Sequence, residues 1–253
     1  MKLELFYPCK PFGLNQAFGV NGAYYRAHGI MIDGHNGLDL QAKHGQPIYA
    51  AHDGVAYYQV DSSEGHGVIL ITNETFDYKG EQAYFKTIYW HMVDRTEEPK
   101  YTSPVYTYQQ KNKQAPMPVK RGDLIGYADN SGFSGGDHLH FGLKPMRPGR
   151  PLNAWQDVTD VGIGNWRNIE QLNGYLGSIN PMPYFNGVHA ADGKAAGMTI
   201  EEYQEATKGR TNEPLAPDDA VAVLATKEAL KGNKTLADRL WAIVAVIKAF
   251  LSK

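Results

Sequence analysis

Two short stretches of this sequence group side chains that can hold a metal ion and move protons. GHNGLDL (34–40) sets His35 and Asp39 four apart, and DHLHF (137–141) sets His138 and His140 two apart in a strand-like context. Side chains two or four apart along an extended chain leave the same face of a sheet. His138 and His140 are therefore expected to point together, with Leu139 turned into the core. In the first stretch Gly34 and Gly37 permit close backbone approach, and Leu38 and Leu40 alternate against Asp39. A hydrolytic zinc site takes three ligands from His, Asp or Glu and keeps a fourth position for water. Two histidines and one aspartate meet that count. Bound zinc lowers the pKa of its water and polarises a carbonyl, while a nearby imidazole takes the water's proton or stabilises the developing oxyanion. His138 stands beside His140, and His91 in YWHM (89–92) is the second candidate for that work. Either motif alone is a common accident; together they are specific. Two histidines and one carboxylate also describe the iron triad of non-haem oxygenases, but the wider HxxxD spacing and the second histidine of HxH count against it.

The rest of the chain narrows the choice. His28, His44, His52, His66 and His189 stand singly among polar or Gly-rich neighbours and read as surface or turn residues. One cysteine, Cys9, excludes an internal disulfide framework and a thiolate zinc site, so any metal must sit on His and carboxylate. Twenty-five basic against 27 acidic side chains give a net charge of -2, so no nucleic-acid partner is expected. The longest apolar stretch, Leu240 to Leu251, falls short of the roughly 20 residues a spanning helix needs and is interrupted by Lys248. No transmembrane segment is expected. MKLELFYPCKPFG lacks the apolar core of a secretory signal peptide, so the expectation is a chain made in the cytoplasm without general export.

The elements that must position these residues are mainly strands. VAYYQV (55–60), GVILIT (67–72) and AYFKTIYW (83–90) alternate or run apolar, and turn signals such as Asp53-Gly54, Glu64-Gly65 and Lys79-Gly80 separate them. A mainly β, antiparallel domain over 1–189 is expected. A linker, 190–216, follows, and then a small α-helical appendage, 217–253. There PDDAVAVLATKEAL (217–230) opens with helix N-terminal residues, and Leu236, Leu240, Ile243, Val244, Ile247 and Leu251 recur at helical spacing.

The sequence resembles the lysostaphin-type, or LytM-like, zinc endopeptidases. The resemblance runs in order through NQAFG (15–19), GHNGLDL (34–40), GQPIYAAHDGVA (45–56), GHGVILI (65–71), YWHM (89–92), KRGDLIGYADNSGFSGGDHLHFGL (120–143) and INPMPYF (179–185). It implies a compact antiparallel β fold with a narrow groove, one Zn2+ per chain on His35, Asp39 and His140, and His91 and His138 as catalytic residues. It implies bacterial peptidoglycan as substrate, cut in a cross-bridge or stem peptide. Asn15 is placed by the same resemblance at the groove near the metal. Two departures, 94–119 and 144–178, are longer than the connections usual in the family. Long loops in compact domains often carry function, so Tyr101, Tyr106, Tyr108, Trp155 and Trp166 are candidates to line an altered groove. A wall-cutting enzyme without an export signal points to a phage-encoded lysin or virion component, with the C-terminal helices serving assembly or attachment. The competing reading is a catalytically inactive binding, regulatory or virion module of the same fold; all five histidine and aspartate positions are kept, which counts against it.

Overall fold

The computed structural model describes residues 1–10, 13–94, 98–149, 165–195 and 205. They lie in the first of two units, Met1–Asn212. The expected helices within 217–253, and Trp155, lie outside the described residues.

The chain forms β1 (Leu5–Tyr7), β2 (Leu14–Gln16), helix α1 (Gly22–Ala27), β3 (Leu38–Gln41), β4 (Pro47–Tyr49), β5 (Gly54–Asp61), β6 (Gly65–Thr72), β7 (Phe76–Tyr78) and β8 (Glu81–Met92). A 3-10 turn (Pro99–Tyr101) then leads to helix α2 (Pro104–Lys111), β9 (Met117–Val119), β10 (Leu124–Tyr127), β11 (His138–Pro148) and β12 (Trp166–Asn168). A second 3-10 turn (Met182–Tyr184) precedes β13 (Phe185–His189). The expected antiparallel domain is present. Its main sheet runs β2-β3-β11-β8-β6-β5-β9, with β12 pairing β11 and β7 pairing β8. The three strands foreseen from alternation are β5, β6 and β8. Lys79 and Gly80, at φ 55 and 85, form the tight link between β7 and β8, where successive positive φ angles match the twist of a hairpin.

The sheet buries apolar side chains on both faces. Leu139, Phe141 and Leu143 of β11, Phe85 and Tyr89 of β8, Val68 and Leu70 of β6 and Ala56 of β5 point into the main core. The opposite face carries a smaller cluster of Tyr57, Ile69, Ile71, Ile88, Met146 and Trp166. Part of the 94–119 segment is helical because Ser103 accepts from the backbone N–H of Val105 at 3.2 Å while Pro104 opens the helix. Helix α2 buries Val105 in the main core, and Gln109 accepts from the Tyr58 N–H at 2.8 Å. The site therefore sits on the sheet face away from α2.

Candidate metal centre

Strand register brings the two motifs together. His140 pairs with Asp39 across β11 and β3, and with Trp90 across β11 and β8. Because Leu139 and Phe141 fill the core, His140 and His138 rise together from the other face, as the alternation requires. His35 arrives differently. It precedes β3 in a bend, with its N–H donating to Val20 O at 2.7 Å and its carbonyl accepting from Gly19 N–H at 2.8 Å. The expected extended run from His35 to Asp39 is thus replaced by a turn, whose Gly37 makes the close approach possible. A Cβ on Gly37 would lie 2.6 Å from His140 Cε1 and 2.7 Å from Phe141 O.

Three donor atoms converge. His35 Nε2 and His140 Nδ1 are 3.0 Å apart, and Asp39 Oδ1 lies 3.1 Å from the first and 3.2 Å from the second. All three residues form the one group among the described residues able to hold a metal ion. Lone pairs crowded this closely repel unless a proton or cation sits among them. The spacing fits a small cation: four ligands at about 2.0–2.1 Å around a tetrahedral ion stand roughly 3.3 Å from each other.

Two more imidazoles border this triangle. His138 Nε2 is 3.4 Å from Asp39 Oδ1, while its Nδ1 is 2.8 Å from Gly136 O and 3.2 Å from Ser134 Oγ. His91 Nδ1 is 2.7 Å from Ser131 O, and its ring centroid lies 4.7 Å from that of His138 and 6.0 Å from that of His140. A ring nitrogen facing a carbonyl carries the proton, so His91 and His138 each donate through Nδ1. Strict alternation would turn His91 to the core face beside Tyr89. Its φ of 64 breaks the alternation and delivers the ring to the site, a strained backbone of the kind that collects at functional positions.

Electrostatics keep the Asp39 carboxylate charged and disfavour protonation of His91 and His140. Burial alone would raise the Asp39 pKa, but the neighbouring His35 and His138, with hydrogen bonds from His138 and His140, hold it well below the ordinary carboxylate range. Burial, then the adjacent His138 and His140, push His91 down to about 3. His140 is lowered chiefly by burial, against the pull of Asp39.

The structure brings together His35, Asp39, His91, His138 and His140. Of the groove candidates, Asn15, Tyr101, Tyr106 and Trp166 lie among the described residues, each with its own surroundings. Asn15 is exposed on β2, where a register shift sets Gln16 opposite Asp39 in its stead. Tyr101 packs edge-on against His44 and lies 5.2 Å from the Tyr127 ring. Tyr106 packs on Tyr58, on the core side of the sheet, because it is carried by α2. Trp166 is buried against Tyr84. His52 and His189, read as surface or turn residues, are buried as well.

One residue near the metal triangle was missed. Tyr25 of α1 accepts from Gln16 Nε2 at 2.8 Å, and its ring lies parallel to that of His35 with centroids 6.1 Å apart. Burial, then Asp39, raises its pKa. No spacing signal marks Tyr25, because α1 is only six residues long and is positioned by tertiary contact.

Residues 33–154 match the family model described as Peptidase family M23. Among curated protein sequences, none matches this chain. Among solved structures, the chain is similar to a zinc-containing peptidase from Vibrio cholerae, with 22% identity over 56% of this chain and 37% of that one and a TM-score of 0.39. It is similar to the catalytic domain of the prophage-encoded M23 protein EnpA from Enterococcus faecalis, with 23% identity, 55% and 87% coverage and a TM-score of 0.38. It is also similar to the catalytic domain of lysostaphin from Staphylococcus simulans, with 20% identity, 72% and 91% coverage and a TM-score of 0.34. The chain spans little more than a third of the Vibrio protein's length. The matched segment contains His35, Asp39, His91, His138 and His140, and a peptidase family there sets aside the iron-oxygenase alternative. Residues 33–154 of the chain therefore resemble peptidase family M23, whose model they match.

Proposed function

We propose that this domain is a zinc endopeptidase that cuts peptide bonds in bacterial peptidoglycan, with His35, Asp39 and His140 as the metal ligands and His91 and His138 as the catalytic residues. The observation that carries the reading is the convergence of His35 Nε2, Asp39 Oδ1 and His140 Nδ1, bordered by two further imidazoles that are not needed to hold an ion. Zinc bound there would act as a Lewis acid toward the scissile carbonyl and acidify a water. The chain's own residues do the proton handling. His138 and His91, tethered through Nδ1 to backbone carbonyls, present Nε2 to take the water's proton and to stabilise the carbonyl oxygen as charge develops on it. Ala17 O, 3.2 Å from His35 Nδ1, orients that ligand in the manner of an outer-shell partner. Peptidoglycan as substrate is supported by the ordered sequence blocks shared with the lysostaphin-type enzymes and by the family match.

The test is metal analysis combined with mass spectrometry of fragments released from purified cell walls. His140→Ala is expected to lose tight zinc binding and activity together. His138→Ala is expected to keep one zinc per chain and lose about 10²- to 10⁴-fold in turnover, the usual worth of a general acid or base. Wall hydrolysis by a metal-free His140→Ala protein would contradict the assignment.

A further inference from the structure

We propose that Ser131 is the positioning residue for His91: its hydroxyl clamps the backbone that carries the ring, and its carbonyl holds the ring itself; this rests on the peptidase reading above. His91 sits at an interruption of the sheet. Val68 pairs with Tyr89 and His66 with Met92, so β8 advances three residues where β6 advances two. Trp90 and His91 together stand opposite Gly67, which is the arrangement of a β-bulge. A Cβ on Gly67 would lie 2.2 Å from Trp90 Cε3 and 2.4 Å from Tyr89 O, so a side chain there would force the two strands apart. The bulge carries its positive φ on His91 itself.

A left-handed residue with a bulky ring persists only where its surroundings fix it. Ser131 does so from the loop that precedes β11. Its Oγ accepts from His66 N–H at 3.0 Å and donates to Met92 O at 2.5 Å, so one hydroxyl ties the two facing residues at the edge of the bulge. Its carbonyl accepts from His91 Nδ1 at 2.7 Å. Any residue at 131 would offer that carbonyl, but only a hydroxyl can donate and accept at one atom. The same stretch holds the backbone of both catalytic histidines: Asp129 N–H donates to His91 O at 2.9 Å, and Asp129 O accepts from His138 N–H at 3.2 Å. The loop is in turn pinned to the turn between β5 and β6. Phe133 N–H donates to Ser63 O at 2.5 Å, and a Cβ on Gly132 would lie 2.2 Å from the Glu64 carbonyl carbon. Ser131, His66 and Met92 stand outside the metal triangle, so the clamp can be released while the three ligands stay in place.

The test is a double-mutant cycle on the zinc-loaded full chain, with hydrolysis of soluble peptidoglycan fragments followed by mass spectrometry. Ser131→Ala is expected to keep one zinc per chain and to lose about 10- to 100-fold in kcat with KM unchanged, the usual worth of a partner that orients a reacting group. On a His91→Ala background, whose residual rate is read by long incubation, Ser131→Ala is expected to cost nothing further, because two changes acting through one ring are not additive. A loss by the same factor on both backgrounds would mean that Ser131 serves only the fold. An unchanged kcat in Ser131→Ala overturns the clamp and leaves the peptidase reading standing. Nitrogen NMR of the wild-type chain needs no variant to fold: His91 is expected as the Nδ1–H tautomer with slow exchange of that proton, and an Nε2–H tautomer would break the bond to Ser131 O and overturn the proposal. A zinc-loaded wild type that cuts no fragment overturns the peptidase reading, and the role given to Ser131 with it.

Discussion

The histidines of this chain divide by what their two ring nitrogens meet. His35, His91 and His138 each give Nδ1 to a backbone carbonyl and turn Nε2 inward, whereas His140 turns Nδ1 inward. His52 is held at both nitrogens. Its Nδ1 lies 2.9 Å from Asp53 O and its Nε2 2.9 Å from Thr87 Oγ1, both inside the fold, so it is structural. Burial pushes its pKa down to about 4 from an ordinary 6.5. The unfolded chain takes a proton on this ring below pH 6.5, and the native chain does so only near pH 4. Stability tied to His52 is therefore present above pH 6.5 and lost as pH falls to about 4, amounting to about 3 kcal/mol. Urea unfolding at pH 7 and pH 4 is expected to show a smaller loss in His52→Asn than in the wild type; equal losses would rule this out. The sequence alone could not separate His52 from an exposed histidine, because burial here comes from strands β5 to β8 closing around it. It could separate His140 from the rest, since HxH on a strand has one geometric consequence and Leu139 between the rings confirms which face is core.

At the scale of elements, alternation carried β5, β6, β8 and the HxH end of β11, and it failed wherever a strand was interrupted. His35 reaches Asp39 through a bend, and His91 reaches His138 through a left-handed residue inside β8. Neither has a periodic signature. The bend makes its own prediction. Gly37 lies against the His140 ring, and a methyl group there would meet Cε1 at 2.6 Å and backbone Phe141 O at 2.7 Å. Gly37→Ala is expected to weaken zinc at least tenfold while the sheet persists, comparable to losing an outer-shell contact. A chelator competition assay reads the affinity, and unchanged affinity would show that β3 can shift to make room. The 94–119 segment was also illegible as an element: its Ser103-Pro104 start carries a helix-opening signal, yet α2 packs on the core side and sets Tyr106 against Tyr58.

At the scale of the molecule, the described core between Met1 and His189 contains every residue of the metal triangle and its bordering imidazoles. None of the described helices is long and apolar enough to cross a membrane. A chain ending at Asn212 is expected to fold, bind one zinc and keep wall hydrolysis, because residues up to Ala195 close the described fold, with Val188 bridging Ala195 and Lys10 pairing Asp192 at 2.5 Å. Circular dichroism and metal content check it; an insoluble or zinc-free product would show that 213–253 completes the domain. β1 pairs in parallel with β13, and the stacked rings of Tyr7 and Phe185 lie 4.3 Å apart. The opening strand thus has to wait for a partner some 180 residues downstream. Phe6 N–H can reach Ala51 O as soon as residue 51 is made, but the β1–β13 ladder itself closes only after residue 189, so this seam is the last part of the described fold to be joined during synthesis.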